Sequence, residues 1–423
     1  MRVLLCDDRA EVCEETKETL TNGAPDSIEC TTLHSTDLSE ALKRFFDSVY
    51  AVLQPQTDDQ TVKSDFDGYD LIVIDNALSH LRLPGARQTA ESIAGYIRAF
   101  SSSPYVVSLN KNDDVDFDLS YLVGDHTTRT DLAINTDHLE NKALWTGRTA
   151  DAKGGFLPWY WPALLEVPAR RRKQIAFVEE NLENSILESL EFPPDVIDDL
   201  SRHAQGILSP FASSEGEGEG TGSVPVEEVT FRQFFLARER SIPAREDRNV
   251  VLAKKLDSVV ARAVAADLGL WFRRDVIGPQ DLLVDLPHLV SRMPFLLGQR
   301  ATEIAAWDET SEATAEPFGF SRAIYKNHIK QSRYKHGAWC PKPAFWWRQL
   351  KDDEALNELF FTDKVTWEDF VFCEDTSRFS LRSNVRGKQL VTEFATEFEG
   401  AWNRRYVANF KGVNYAPRSR FAF

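Results

Sequence analysis

The first 145 residues predict a doubly wound α/β fold, a parallel sheet covered by helices on both faces, and three features carry that expectation. Short apolar runs recur at Arg2–Cys6, in "YDLIVID" ending on Asp75 and in "PYVVSLN" ending on Asn110, and none alternates with polar residues. Strands buried on both faces read this way, whereas half-exposed strands alternate. Segments of helical period separate the runs, which is the pattern of parallel strands joined by crossover helices. Acidic residues close the first and third runs.

Taken in order, Arg2–Cys6 is the first strand. Arg9–Thr21 has helical composition and stops near the turn signal Asn22-Gly23, and Ile28–Leu33 is strand-like with β-branched residues. Asp37–Leu53 reads as a helix, because Leu38, Leu42, Phe45, Phe46 and Val49 fall at helical spacing behind the cap-forming Ser35, Thr36 and Asp37. The polar stretch Gln54–Gly68 predicts a surface insertion. "YDLIVID" is then the third strand, Gly85–Phe100 a helix, "PYVVSLN" the fourth strand, "TDLAIN" a fifth, and His138–Trp145 a last helix.

In sheets of this kind ligands bind beyond the carboxyl ends of the strands. Asp7 and Asp8 follow the first strand and Asp75 ends the third, so adjacent parallel strands would bring all three to one edge. Single acids at strand ends often do no more than open a loop. Three gathered together repel one another unless a cation offsets them, and a hard, oxygen-preferring ion such as Mg²⁺ suits such a set.

With these residues in view, "VLLCDD", the later "YDLIVID", the Gly-led helix and "PYVVSLN" resemble the receiver domain of two-component response regulators, over about one third of the chain. The resemblance implies a flavodoxin-like sheet of order 2-1-3-4-5. It makes Asp75 the phosphoacceptor, attacking a phosphohistidine, and assigns Asp7, Asp8 and Asp75 to the Mg²⁺ that neutralises charge on the transferring phosphoryl group. A histidine kinase or phosphotransfer protein would be the partner. Departures stand beside the match. Receivers carry Ser or Thr after the fourth strand, where this chain offers Ser108 or, with a one-residue shift, Asn110. They carry Lys at the end of the fifth, where it has Asn135. Those are the parts that convert phosphorylation into a conformational change. "NALSHL" after the acceptor and the Gln54–Gly68 insertion are also atypical. An active but divergent receiver and a pseudo-receiver that docks a partner both fit.

Residues 146–317 read as mainly α-helical. "GGFLPWYWPALL" is a Gly/Pro-punctuated aromatic anchor, and Pro168–Phe192 predicts one amphipathic helix with Ile175, Val178, Leu182, Ile186 and Leu190 on its apolar stripe and Arg170–Lys173 as a solvated basic patch. Ser213–Glu228, "SSEGEGEGTGSVPVEE", is acidic and low in complexity, the composition of a flexible linker, and its glycines lack the Gly-Lys-Ser/Thr of a phosphate loop. Phe231–Val276 is helical in pattern.

Residues 318–423 hold 18 Lys and Arg against 12 Asp and Glu, and 22 of the chain's 47 aromatic residues, within a chain of net charge −17. An aromatic core with a solvated basic face accounts for this. Nucleic-acid binding through Arg404, Arg405, Lys411, Arg418 and Arg420 is the sharper alternative. His328, His336 and Cys340 match no strong zinc spacing, and Glu368, Asp369, Glu374 and Asp375 lack the acid-x-Lys partner of a nuclease site.

A chain of 423 residues, 42% hydrophobic, should form two or three domains. Its start is too short in apolar residues for a signal peptide, and no run of about 18 apolar residues suggests a membrane partner. Five scattered cysteines without a CxxC pair point to a reducing cytoplasm. Two function classes follow. One is a receiver-bearing signalling protein whose C-terminal part binds a partner protein or forms a homo-oligomer, with no enzyme activity beyond the receiver's own phosphorylation. The other is a nucleic-acid-binding or nuclease effector, in stress or phage defence, regulated by the receiver-like domain. The acidic balance and the lack of a helix-turn-helix pattern favour the first.

Overall fold

The computed structural model describes residues 1–22, 24–53, 62–81, 89–102, 104–110, 117–118, 129–139, 143–146, 161–208, 225–238, 256–313, 319–362, 369–373, 378–381, 390–393, 405–408 and 413–414. The chain divides into two compact units. One comprises Met1–Ser189, Gly206–Leu270 and Gly412–Ala416, the other Leu190–Gln205, Trp271–Lys411 and Pro417–Phe423.

The first unit is built on five parallel strands: β1 (Arg2–Asp7), β2 (Glu29–His34), β3 (Leu71–Asp75), β4 (Tyr105–Asn110) and β5 (Leu132–Asn135). Their spatial order is β2-β1-β3-β4-β5, the order expected from sequence. Two-residue strands at Phe117–Asp118 and Val413–Asn414 extend the sheet beyond β5. The central strands β1 and β3 are buried along their apolar runs, as uninterrupted hydrophobic sequence requires, while β2 at the edge is only half-buried.

Alternation along the strands divides the burial between two faces. On one, Leu4, Cys6, Ile72, Ile74 and Val106 pack against α2 (Ser35–Leu53) and α3 (Ala90–Phe100). Helix α2 buries Leu38, Leu42, Phe45, Val49 and Val52, the i, i+3, i+4 stripe visible in sequence. Helix α3 begins later than the Gly85 expected from sequence. Thr89 pairs with Ala77 as an isolated bridge and closes a capping box with Ser92, so the helix starts at Ala90, and residues 82–88 lie outside the described residues. On the opposite face, α1 (Ala10–Thr21) buries Cys13, Thr16 and Leu20, and Trp145 donates its indole N–H to the Leu20 carbonyl at 3.1 Å. The expected helix over His138–Trp145 is two short turns, Thr136–Leu139 and Ala143–Thr146.

Two expectations are corrected here. Of the stretch Gln54–Gly68, residues 54–61 lie outside the described residues, and the remainder is not all surface: Val62 and Phe66 are buried, and Phe66 meets Phe45 edge to face at 5.4 Å. The long helix over Pro168–Phe192 is instead α4 (Glu166–Glu180), a turn, and the short helix Ile186–Ser189. Asn181 stops α4: its amide donates to the Phe177 carbonyl, its own carbonyl and side-chain oxygen accept from Asn184, and Ser185 bridges to Thr230. Nor is the Arg170–Lys173 run wholly solvated, since Arg171 is buried.

Further along this unit, α5 (Phe231–Arg238) buries Phe231, Phe234 and Phe235, and α6 (Asp257–Trp271) sends Val259 into the α2/α3 core. Of the expected linker, residues 213–224 lie outside the described residues. In the second unit, Leu283–Asp285 pairs antiparallel with Ala344–Trp346, and Phe370–Cys373, Arg378–Leu381, Leu390–Glu393 and Arg405–Ala408 form a four-stranded sheet. Phe370, Phe372 and Phe379 close round Trp307, so these C-terminal aromatics serve as core. Among the described residues no helix is long and apolar enough to cross a membrane.

Candidate metal centre

Strands β1 and β3 run side by side with Cys6 in register with Ile74, so their last residues emerge together at the carboxyl edge. Asp7, Asp8 and Asp75 are there, 3%, 6% and 7% exposed, and each offers a carboxylate oxygen within 4.8 Å of the others. Among the described residues this is the one group of three or more His, Cys, Asp or Glu side chains so placed. At about 5 Å and an effective dielectric near 20, each like-charged pair costs on the order of 3 kcal/mol.

Part of that cost is offset by donors. The Arg9 N–H donates to Asp7 Oδ1 at 2.9 Å, and the Arg9 Nε stands 3.8 Å from Asp8 Oδ1. Asp8 Oδ2 accepts from the His80 N–H at 2.7 Å and lies 3.1 Å from His80 Nδ1, which carries the hydrogen when it faces a carboxylate. Below the carboxylates, Leu5, Cys13, Thr16, Val73 and Leu109 line a pocket with room for about one water. Burial, with Cys13 and Asp7 nearby, pushes the Cys6 thiol well above its ordinary range and keeps it protonated. The ligand atoms grouped at this edge are carboxylate oxygens, while Cys6 packs into the α2/α3 core, and an all-oxygen set fits Mg²⁺ or Mn²⁺ better than Zn²⁺.

The expected switch residues are less uniformly placed. Ser108 is in register with Ile74 and so shares its face, away from that of Asp75, and its hydroxyl donates to Asn76 Oδ1 at 3.2 Å. The residue in register with Asp75 is Leu109. Asn110 and Asn135 face each other across the ends of β4 and β5, where a receiver would present a lysine. Arg404, Lys411, Arg418 and Arg420 lie outside the described residues, as does the side chain of Arg405, whose backbone opens a strand. His328 pairs with Asp353 at 3.0 Å and His336 stands 3.7 Å from Glu191, so the two histidines are engaged separately.

Two features escaped the reading of the sequence. His80 gave no signal: it lies in the atypical "NALSHL" stretch and reaches Asp8 only because the chain turns back after β3. The second is a buried ionic network at the opposite edge of the sheet. Asp131 receives Arg98 at 3.1 Å and two bonds from Arg171 of α4, at 2.5 and 3.0 Å, while its Oδ2 also accepts from the Val106 N–H. Burial alone would raise the Asp131 carboxyl, but the two guanidiniums hold it well below the usual carboxylate range. Its signal was present, since Arg171 stands two helical turns before Val178 on the buried face of α4.

Searches against family models, curated proteins and solved structures return no match for this chain.

Proposed function

We propose that the N-terminal α/β unit is a receiver-like phosphoacceptor module in which Asp75 takes a phosphoryl group from a phosphohistidine, and that it serves as the input of a signalling protein. The observation that carries this reading is the packing of three buried carboxylates within 4.8 Å at the carboxyl edge of β1 and β3, in a sheet of order 2-1-3-4-5. Asp7, Asp8 and Asp75 would hold a divalent cation, which when bound supplies positive charge against the phosphoryl oxygens. The chain's own part is to hold an Asp75 oxygen at the carboxyl edge of the sheet. That oxygen attacks phosphorus, an O–P bond forms, the N–P bond to the donor histidine breaks, and the imidazole takes the leaving electron pair. The partner is then a histidine kinase or phosphotransfer protein.

The parts that report phosphorylation are altered. Ser108 shares the face of Ile74, Leu109 is the residue in register with Asp75, and Asn135 is a neutral amide where a charge-assisted bond would be made. The acyl phosphate should form and move little. Incubation with Mg²⁺ and acetyl phosphate tests the reading: an acid-stable, base-labile label is expected on Asp75 and none on Asp75→Asn. Labelling that survives Asp75→Asn would move the acceptor elsewhere. A folded protein that no donor labels would leave a docking module.

A further inference from the structure

We infer that His80 is a positioning residue for the cation site: its imidazole fixes the Asp8 carboxylate so that one oxygen is committed to protein hydrogen bonds and the other is presented to the metal. The inference rests on the metal-dependent reading above and adds a residue to it.

The geometry is specific. Asp8 Oδ2 accepts from both the backbone N–H and Nδ1 of the same residue, at 2.7 and 3.1 Å. A carboxylate oxygen with two such donors has both lone-pair directions filled, which leaves Oδ1 as the ligand atom. Oδ1 lies 3.8 Å from the Arg9 guanidinium, beyond hydrogen-bond reach, so it stays available. The Asp8 side chain is 2% exposed while that of His80 is 66% exposed, so the imidazole is the outermost of the two groups and shields its side of the carboxylate from water.

His80 is itself held in place. Leu78 is buried in the α2/α3 core and Leu81 packs against it, so the residues on both sides of the histidine are anchored. Ala77 bridges to Thr89, and the Ser79 N–H donates to the Ala77 carbonyl, which closes the turn. The anchored backbone fixes where the imidazole starts from, so although the ring itself is exposed, its Nδ1 is held on the Asp8 side. Without it, Asp8 can rotate away from Asp7 and Asp75, because the mutual repulsion of the three acids favours spreading them. Metal binding must then reassemble the set. Partners that orient a metal ligand from behind are worth about 10- to 100-fold in affinity.

The test is direct cation binding by the full chain, read by calorimetry with Mg²⁺ and by Mn²⁺ paramagnetic resonance, with no phosphodonor present. His80→Ala keeps the backbone donor and removes Nδ1, so binding should weaken by about tenfold or more. His80→Asn places an amide N–H near the position of Nδ1 and should bind within about threefold of wild type, since the orienting bond is kept. In acetyl phosphate labelling, His80→Ala should raise the half-saturating Mg²⁺ concentration and leave the acetyl phosphate KM unchanged. Equal binding by wild type and His80→Ala overturns the inference while the metal site stands. Tighter binding by His80→Ala would show that Nδ1 competes with the cation, and also overturns it. A wild-type chain that binds neither ion overturns the metal reading, and this inference with it.

Discussion

Asp75 of β3 stands directly across from Leu109 of β4, so the neighbour of this buried carboxylate on the next strand is an apolar side chain. Both residues also line the small pocket beneath the site. Leu109→Thr places a hydroxyl beside the Asp75 carboxylate. It should cost about 1–3 kcal/mol in urea denaturation, because a buried Leu loses volume. After acetyl phosphate treatment the variant should gain more thermal stability than wild type does. An equal gain in both would show that position 109 does not reach the phosphoryl group.

Crowded carboxylates make a prediction that needs no phosphodonor. Asp7→Asn keeps an oxygen to accept from the Arg9 N–H and removes one of three like charges. In EDTA the variant should therefore be more stable than wild type, by about 1–3 kcal/mol. Mg²⁺ should stabilise wild type and do little for the variant, so the difference shrinks or reverses on adding the ion. Thermal melts in EDTA and in Mg²⁺ measure both. A wild type more stable than Asp7→Asn in EDTA would mean that protein donors already neutralise the cluster.

The Asp131 network predicts an acid limb to stability. Its folded pKa lies below the ordinary 3.8 of an aspartate, held there against burial by Arg171 and Arg98. The folded state thus binds fewer protons than the unfolded one, and the contribution is complete above about pH 4–5 and lost as pH falls through the interval below 3.8. Asp131→Asn removes the buried carboxylate that both guanidiniums contact and should cost about 3–5 kcal/mol at neutral pH. The variant should also show a flatter decline in acid. Denaturant midpoints from pH 7 to pH 3 would test this, and parallel curves for the two proteins would contradict it.

Phe66 and Tyr50 separate buried from exposed aromatics. Phe66→Ala should cost about 3–5 kcal/mol, because the ring is wholly buried against Phe45. Tyr50→Ala, at a residue 68% exposed, should stay within about 0.5 kcal/mol. Chemical denaturation of both gives the comparison, and a small loss for Phe66→Ala would return residues 62–68 to the surface.

Sequence was most informative where burial leaves no choice of side chain. Strands β1, β3 and β4 lie within the sheet, and their apolar runs announced the strands, while the three acids follow at the ends of β1 and β3. Pattern failed where one residue decides. Asn181 ends α4 through local hydrogen bonds that periodicity does not register, and Phe66 is buried although the composition around it is mostly polar. Charged residues misled for a related reason. Arg171 reads as solvated within an Arg-rich run, and only the fold brings Asp131, forty positions earlier, to meet it. His80 is the extreme case, since its role depends on a turn whose course the local sequence does not dictate.

The bonds from Arg171 to Asp131 have a consequence for dissecting this protein. A fragment cut at residue 145, where the composition changes, would keep the whole five-stranded sheet and yet leave Asp131 facing Arg98 alone. The smallest piece able to stand by itself must reach past Arg171, and the compact unit that contains the sheet also draws on Gly206–Leu270. Transplanting the sheet with its acidic edge onto another protein would carry α4 along as part of the graft. The border where one gene segment could be exchanged for another therefore lies well beyond the last strand.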